Sequence, residues 1–166
     1  MLDNDTIFVA DNKITSQNDF HVMMGSIDQT NEIFLNSRGK QCTPISCVAI
    51  TYFYKKNIDA WNSNDIDYIL RTGDQLYKTS KNILNQKNVS FDYLTFDEVY
   101  NTVHLHGDTF QFFENIETHS CNGNIKHIEQ GICTENNLIT SLSSFFEINK
   151  YTTGIFTCNN YTFAVM

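Results

Sequence analysis

The sequence predicts an α+β fold, on three observations. Two long segments in the first half of the chain carry apolar residues at helical spacing, around Ile45–Phe53 and Ile66–Tyr77. Two short segments at the other end, Tyr151–Cys158 and Tyr161–Met166, alternate and are rich in aromatic and β-branched residues, as paired strands are. Helical runs lead and strand runs close, so the elements are segregated rather than interleaved as in a parallel α/β sheet. The chain has 166 residues, 41% hydrophobic and 13% aromatic. That length buries about two-thirds of the unfolded surface without staples, and so many aromatics exclude a disordered chain. With no internal repeat and no Gly/Pro/Ser linker, residues 1–166 read as a single domain.

The elements follow in order. Ile7–Ala10 and Phe20–Met24 are strand candidates, the second ended by Gly25, and 25–41 reads as loop. Ile45, Val48, Ala49, Tyr52 and Phe53 fall at i, i+3, i+4, i+7 and i+8, one buried helical face. Pro44, the single proline, suits the first helical position, where its missing N–H costs nothing. Ser46, Cys47, Ile50 and Thr51 leave the opposite side small or apolar, so this helix should be surrounded by protein. Asn62-Ser63-Asn64-Asp65 is a cluster of N-cap residues opening a second helix, whose stripe Ile66, Ile69, Leu70, Gly73, Tyr77 continues to about Leu84. Gly73 within it costs about 1 kcal/mol against Ala, which predicts close helix packing there. Val89–Leu94 reads as a strand. Thr95 and Glu98 stand in capping-box spacing and open a short helix through Val103. Thr109–Thr118 reads as a strand, and Thr134 caps a third helix over Glu135–Ile148. The two C-terminal segments form a hairpin that should bring Met166 toward Cys42.

Charge and cysteine usage narrow the function. A net charge of −8, from 11 basic and 19 acidic residues, makes a poor nucleic-acid binder, because phosphate neutralisation needs clustered Lys and Arg. It favours a basic or neutral partner face over an anionic membrane. No apolar run approaches the length that spans a bilayer, and the opening Met1-Leu2-Asp3-Asn4-Asp5 lacks the features of a signal peptide. Five scattered cysteines, at 42, 47, 121, 133 and 158, read as free thiols in a reducing compartment. The 20 asparagines fit an A+T-rich coding sequence and carry no mechanism.

Cys42 is the residue with chemistry. It stands just ahead of the buried helix, where a thiol faces the positive end of the macrodipole. Nearby backbone N–H groups at such a position can hold an oxyanion, and Arg38-Gly39-Lys40-Gln41 adds flexibility and two cations. The plainer alternative is one more buried free cysteine. Cys47, a turn and a half further on, reads as packing. His104 and His106 would share a face if they lie on a strand, although a solvated loop accounts for them as well. His119, Cys121, His127 and Cys133 match no zinc spacing and are read as chance, so no metal and no cofactor is expected.

Gly25-Ser26-Ile27-Asp28-Gln29, Phe34 and Arg38-Gly39-Lys40-Gln41-Cys42-Thr43, followed by an apolar helix, resemble the start of the ubiquitin-specific cysteine protease domain of herpesvirus large tegument proteins. Trp61 with Asp65-Ile66-Asp67-Tyr68-Ile69-Leu70, Gly73-Asp74-Gln75-Leu76-Tyr77 and the closing Phe156–Val165 extend the resemblance over about residues 20–166. It implies a papain-like cysteine protease fold, with the helix after the nucleophile packed on a mostly antiparallel sheet. It implies Cys42 as nucleophile and Gln29 as the side chain that helps hold the oxyanion. It implies ubiquitin or a ubiquitinated protein as partner, no nucleic acid and no membrane, in the cytoplasm or associated with the virion. The family's base is the histidine of an Asp-x-His motif that follows the strand matched by Tyr161–Val165, and the sequence stops at Met166, ahead of that motif. A fragment, an inactive copy that binds ubiquitin or another protein, and a substitute histidine are the three readings this leaves.

Overall fold

The computed structural model describes residues 22–89, 92–111, 146, 152–158 and 161–166. Helix α1 spans Cys42–Lys55 and helix α2 spans Ser63–Gln86. Strands β1, Thr102–Leu105, and β2, Asp108–Gln111, form one antiparallel hairpin. Strands β3, Gly154–Cys158, and β4, Tyr161–Val165, form a second. Helix α1 packs between α2 on one side and β4 on the other. That position explains its composition: Thr43, Ser46, Cys47, Val48, Ala49, Thr51 and Tyr52 are all buried, on more than one face.

The two helices cross where Gly73 meets Ile45. A Cβ on Gly73 would stand 2.7 Å from the Ile45 Cα and 2.5 Å from its Cγ1, so the close packing expected from the sequence is present. Helix α2 begins as its cap cluster predicts. The Asn62 side chain accepts from the Asn64 N–H at 2.9 Å, and the Asp65 carboxylate returns the bond to the Asn62 N–H at 2.7 Å. Asp65 also accepts from the Tyr52 hydroxyl at 2.5 Å and the Lys56 ammonium at 2.7 Å, which ties the end of α1 to the start of α2. Trp61 closes the same corner, its indole N–H donating to the Lys56 carbonyl at 2.9 Å.

Hairpin β3–β4 lies along α1 with a defined direction. The Ser46 hydroxyl donates to the Thr162 carbonyl at 3.2 Å, near the start of α1. At its other end the Tyr54 hydroxyl and Thr153 Oγ1 are 2.9 Å apart, and Gly154 pairs with Val165. Met166 therefore lies toward the C-terminal end of α1, not toward Cys42. Thr162, near the beginning of β4, is what reaches the first turn of α1.

Other expectations are corrected. Helix α1 starts at Cys42, which puts Pro44 third rather than first; the first four helical N–H groups lack intrahelical partners, so proline costs nothing there either. Thr95 and Glu98 do form a capping box, but it closes only the 3₁₀ turn Phe96–Glu98. Val103 and Leu105 are buried on either side of exposed His104, and this period of two makes the segment strand β1 instead of helix. His106 falls in the two-residue turn with Gly107, at φ 49 and 87, the pair of positive angles that closes a tight hairpin. Val89 and Asp92–Leu94 are irregular: the Tyr77 hydroxyl donates to the Asp92 carbonyl at 2.6 Å, and Leu94 is buried as an anchor. Val22–Met24 is likewise irregular. The expected strand at 7–10, the Phe112–Thr118 part of another, and the helix over 135–148, save Phe146, lie outside the described residues. Among the described residues no helix is long and apolar enough to cross a membrane.

Candidate active site at the start of helix α1

Cys42 is the first residue of α1 and half-buried. The residue before it is held firmly. Gln41 has no exposed surface, and its backbone carbonyl accepts the Ile45 N–H at 2.9 Å. Its side chain turns into the protein: Nε2 donates to Asp74 Oδ1 at 3.2 Å, and Oε1 accepts the Lys40 N–H at 3.2 Å. Asp74, on α2 and 5% exposed, also receives the Ser37 hydroxyl and the Lys78 ammonium, the latter at 2.6 Å. A buried carboxylate is tolerable when each oxygen is so occupied. The turn leading into Cys42 is thus bolted to α2.

Gln29 sits on a second loop fixed to the same helix. Asp67 accepts from the Ser26 N–H at 2.7 Å, the Ile27 N–H at 3.2 Å and the Ser26 hydroxyl. The Ser26 hydroxyl, with these N–H groups and Arg71, holds the Asp67 carboxyl below its usual range. A side chain on Gly25 would collide with Asp67, so glycine lets the loop approach α2. Gln29 then occupies the second position of a turn closed by the Asn31 N–H on the Asp28 carbonyl at 3.0 Å. Asp28 stiffens it by accepting the Thr30 N–H and hydroxyl, both at 2.6 Å. The Gln29 carbonyl accepts the Gly39 N–H at 2.8 Å. Gly39 adopts φ +73, a left-handed conformation that favours glycine.

The two loops bring Gln29 and Cys42 to one pocket of about 370 Å³. Ile45, Ile66 and Leu70 give it apolar walls from both helices, and Met24, Thr162 and Phe163 line it as well. The arrangement offers a thiol at a helix N-terminus and a glutamine lining the same open, largely apolar pocket. Those are the parts that nucleophilic attack and oxyanion stabilisation call for.

The remaining candidates separate from this pocket. Cys47 is 1% exposed, and burial pushes its thiol up to about 12, so it is a packing residue as expected. Lys40 is paired with Asp92 at 3.1 Å, and Arg38 is exposed. Hairpin β1–β2 holds His104 and His106 at the other end of α1, where Lys55 donates to the Leu105 carbonyl at 3.0 Å. His106 stacks flat on Tyr68 with ring centroids 4.2 Å apart. Among the described residues no histidine lines the Cys42 pocket. His21, His119, His127, Cys121 and Cys133 lie outside the described residues, and Cys158 is placed only by its backbone on β3. Asp67, Asp74 and Gln41 were missed as site residues. A buried carboxylate and a surface one look alike in a sequence, and the only signal was their presence in the segments that carry the resemblance.

The family model of the herpesvirus tegument protein N-terminal conserved region matches residues 24–166. Among solved structures, the chain is similar to the ubiquitin-specific protease encoded by a murine cytomegalovirus tegument protein, determined in complex with a ubiquitin-based suicide substrate. The TM-score is 0.51 at 16% identity, over 54% of this chain and 40% of that one. The likeness carries the fold, α+β in the manner of a viral ubiquitin-specific protease, and this chain spans well under half of that structure's length. No curated protein matches the chain.

Proposed function

The chain belongs to the herpesvirus tegument protein N-terminal family, and from that footing we propose that it is a papain-like cysteine peptidase domain that acts on ubiquitin conjugates. The observation that supports this most is the shared pocket of Cys42 and Gln29 at the start of α1. In this reading the Cys42 sulfur attacks the carbonyl of ubiquitin's C-terminal glycine. The new C–S bond converts that carbonyl to an oxyanion, which the Gln29 amide and backbone N–H groups at the head of α1 stabilise. Collapse expels the substrate amine with a proton and leaves a thioester, which water then hydrolyses. The fold relative was captured with a ubiquitin-based substrate, and an acidic domain complements a basic partner face. The proton acceptor is the histidine of the family's Asp-x-His motif, which the resemblance places after the strand matched by Tyr161–Val165.

Among the described residues no histidine lines the Cys42 pocket, so residues 1–166 assayed by themselves should turn over ubiquitin conjugates several orders of magnitude more slowly than a complete centre, yet still be labelled slowly at Cys42. A ubiquitin probe with a C-terminal electrophile should modify wild type and Cys47→Ala and leave Cys42→Ala untouched. Labelling that survives Cys42→Ala and disappears with Cys47→Ala would identify the wrong cysteine. A chain that binds ubiquitin equally well with and without Cys42, and never reacts, is the inactive binding module instead.

A further inference from the structure

Two acidic residues on helix α2 have a role that the proposed mechanism does not use. Asp67 and Asp74 are seven residues apart, two helical turns, so they project from one face about 10 Å from each other. Asp67 grips the Gln29 loop through the Ser26 and Ile27 N–H groups and the Ser26 hydroxyl. Asp74 grips the turn before Cys42 through Ser37 and Gln41. Directly before Asp74, Gly73 lets α2 touch Ile45, one turn into the helix that starts at Cys42. The loop and the turn are joined to each other by the Gly39–Gln29 backbone bond at 2.8 Å.

We infer that Asp67 and Asp74 are positioning residues, and that α2 acts through them as the ruler that sets Gln29 against Cys42. The inference rests on the reading of Cys42 as nucleophile and Gln29 as oxyanion donor. Rigid helices fix positions better than loops do, and a misplacement of about 1 Å at a reacting centre can cost a hundredfold. The Gly39–Gln29 backbone bond ties the two segments to each other, and the carboxylates tie each of them to α2. The Gln29 loop depends on Asp67 and the Cys42 turn on Asp74, so the two residues act by separate routes.

The test uses the full chain and ubiquitin whose C-terminal carboxyl is replaced by an aldehyde. The Cys42 sulfur adds to the aldehyde carbon, the carbonyl electron pair moves to oxygen, and that oxygen takes the thiol proton, giving a reversible hemithioacetal with no leaving group. The affinity of each variant is divided by its affinity in a Cys42→Ala background. The quotient isolates covalent adduct formation from ubiquitin binding. Gln29→Ala should lower the quotient by tenfold or more. Asp67→Ala should lower it about tenfold when Gln29 is present and not at all in Gln29→Ala, because its route runs through Gln29. Asp74→Ala should lower it in both backgrounds. Asp74→Asn, which keeps an oxygen for Ser37 and Gln41, should recover most of the loss. Binding in the Cys42→Ala background should stay unchanged throughout, which a general structural role would not allow. Should Asp74→Ala fail to fold, Asp74→Asn and Asp67→Ala still decide the matter. A quotient above one that ignores Asp67 and Asp74, or falls further for Asp67→Ala on top of Gln29→Ala, overturns the inference and leaves the peptidase reading standing. A quotient of one for the wild type removes the peptidase reading, and this inference with it.

Discussion

Replacing Gly73 by alanine tests the packing that places Cys42. Two effects oppose each other. Alanine is the better helix former by about 1 kcal/mol, so on an exposed helix the change would stabilise. Here the new methyl would meet the Ile45 Cα at 2.7 Å and its Cγ1 at 2.5 Å. Carbon atoms in contact sit near 3.5–4.0 Å, so α1 must withdraw by about 1 Å. A side-chain tip could rotate away, but a backbone carbon cannot. Overpacking of this kind costs up to about 3 kcal/mol, which leaves a net loss of about 2 kcal/mol. For a chain of this length the midpoint of thermal unfolding should fall by about 4–8 °C, followed by circular dichroism of wild type and Gly73→Ala. Because Ile45 lines the Cys42 pocket, probe labelling of Cys42 should slow in the folded variant as well. An unchanged or raised midpoint would refute the reasoning, since it would mean that the helices do not touch at Gly73.

Three further outcomes follow from other parts of the structure. Brief alkylation with iodoacetamide at neutral pH should modify Cys42 and spare Cys47, whose buried thiol is pushed up to about 12, until denaturant is added; peptide mapping reads this directly. Burial works to raise the pKa of Asp65, but hydrogen bonds from Lys56, Tyr52 and the Asn62 N–H prevail and hold it below its ordinary 3.8. Its stabilisation is therefore present above the unfolded value and lost as pH falls through the folded one, so the unfolding midpoint should drop on acidification from about pH 5 to about pH 3, and less steeply in Asp65→Asn. Gly39→Ala meets no neighbour within 4 Å but keeps φ +73, so it should cost about 1 kcal/mol, with Asn, which tolerates that conformation better, between Gly and Ala in a denaturant series.

Much of this was legible where a residue's role is local. The cap cluster at Asn62–Asp65 fixed the start of α2, since capping needs only neighbours in sequence. The spacing from Ile45 to Phe53 fixed α1, and the lack of charge around it gave its burial. Gly73 was readable because a glycine inside a long helix is unfavourable unless something lies close. The failures have the opposite character. Thr95–Glu98 carries a good local helix signal, but pairing of Thr102–Leu105 with Asp108–Gln111 competes for the following residues and wins. The sequence marks Thr109–Thr118 as a strand, but no local signal pairs it with Thr102–Leu105. The direction of β4 along α1 is likewise a tertiary fact. So is the burial of Asp74, whose partners Gln41 and Ser37 lie 33 and 37 residues away in sequence.

Helix α1 separates chemistry from architecture, and this bears on which group could take the Cys42 proton. Its 14 residues extend about 20 Å. At the start are Cys42, the Gln29 loop and Thr162. At the end are Lys55 on Asp108, Lys56 on Asp65, and His106 flat against Tyr68. A general base must come within about 3 Å of the proton it removes, directly or through one water, and His104 and His106 are a helix length away. His104 is engaged with Thr109 Oγ1 at 3.0 Å, and the His106 backbone N–H donates to the Tyr68 hydroxyl at 3.0 Å. The Thr43 and Thr162 hydroxyls, 3.3 Å apart, and the Ser46 hydroxyl, which donates to the Thr162 carbonyl, stay neutral near pH 7 and accept no full proton. His104→Ala and His106→Ala should therefore leave both the rate of Cys42 labelling and any residual turnover unchanged. His106→Ala should still lower thermal stability slightly, through loss of the ring stacked on Tyr68. Loss of labelling in either folded variant would show that the hairpin reaches the thiol, and the separation of the two ends of α1 would then be wrong.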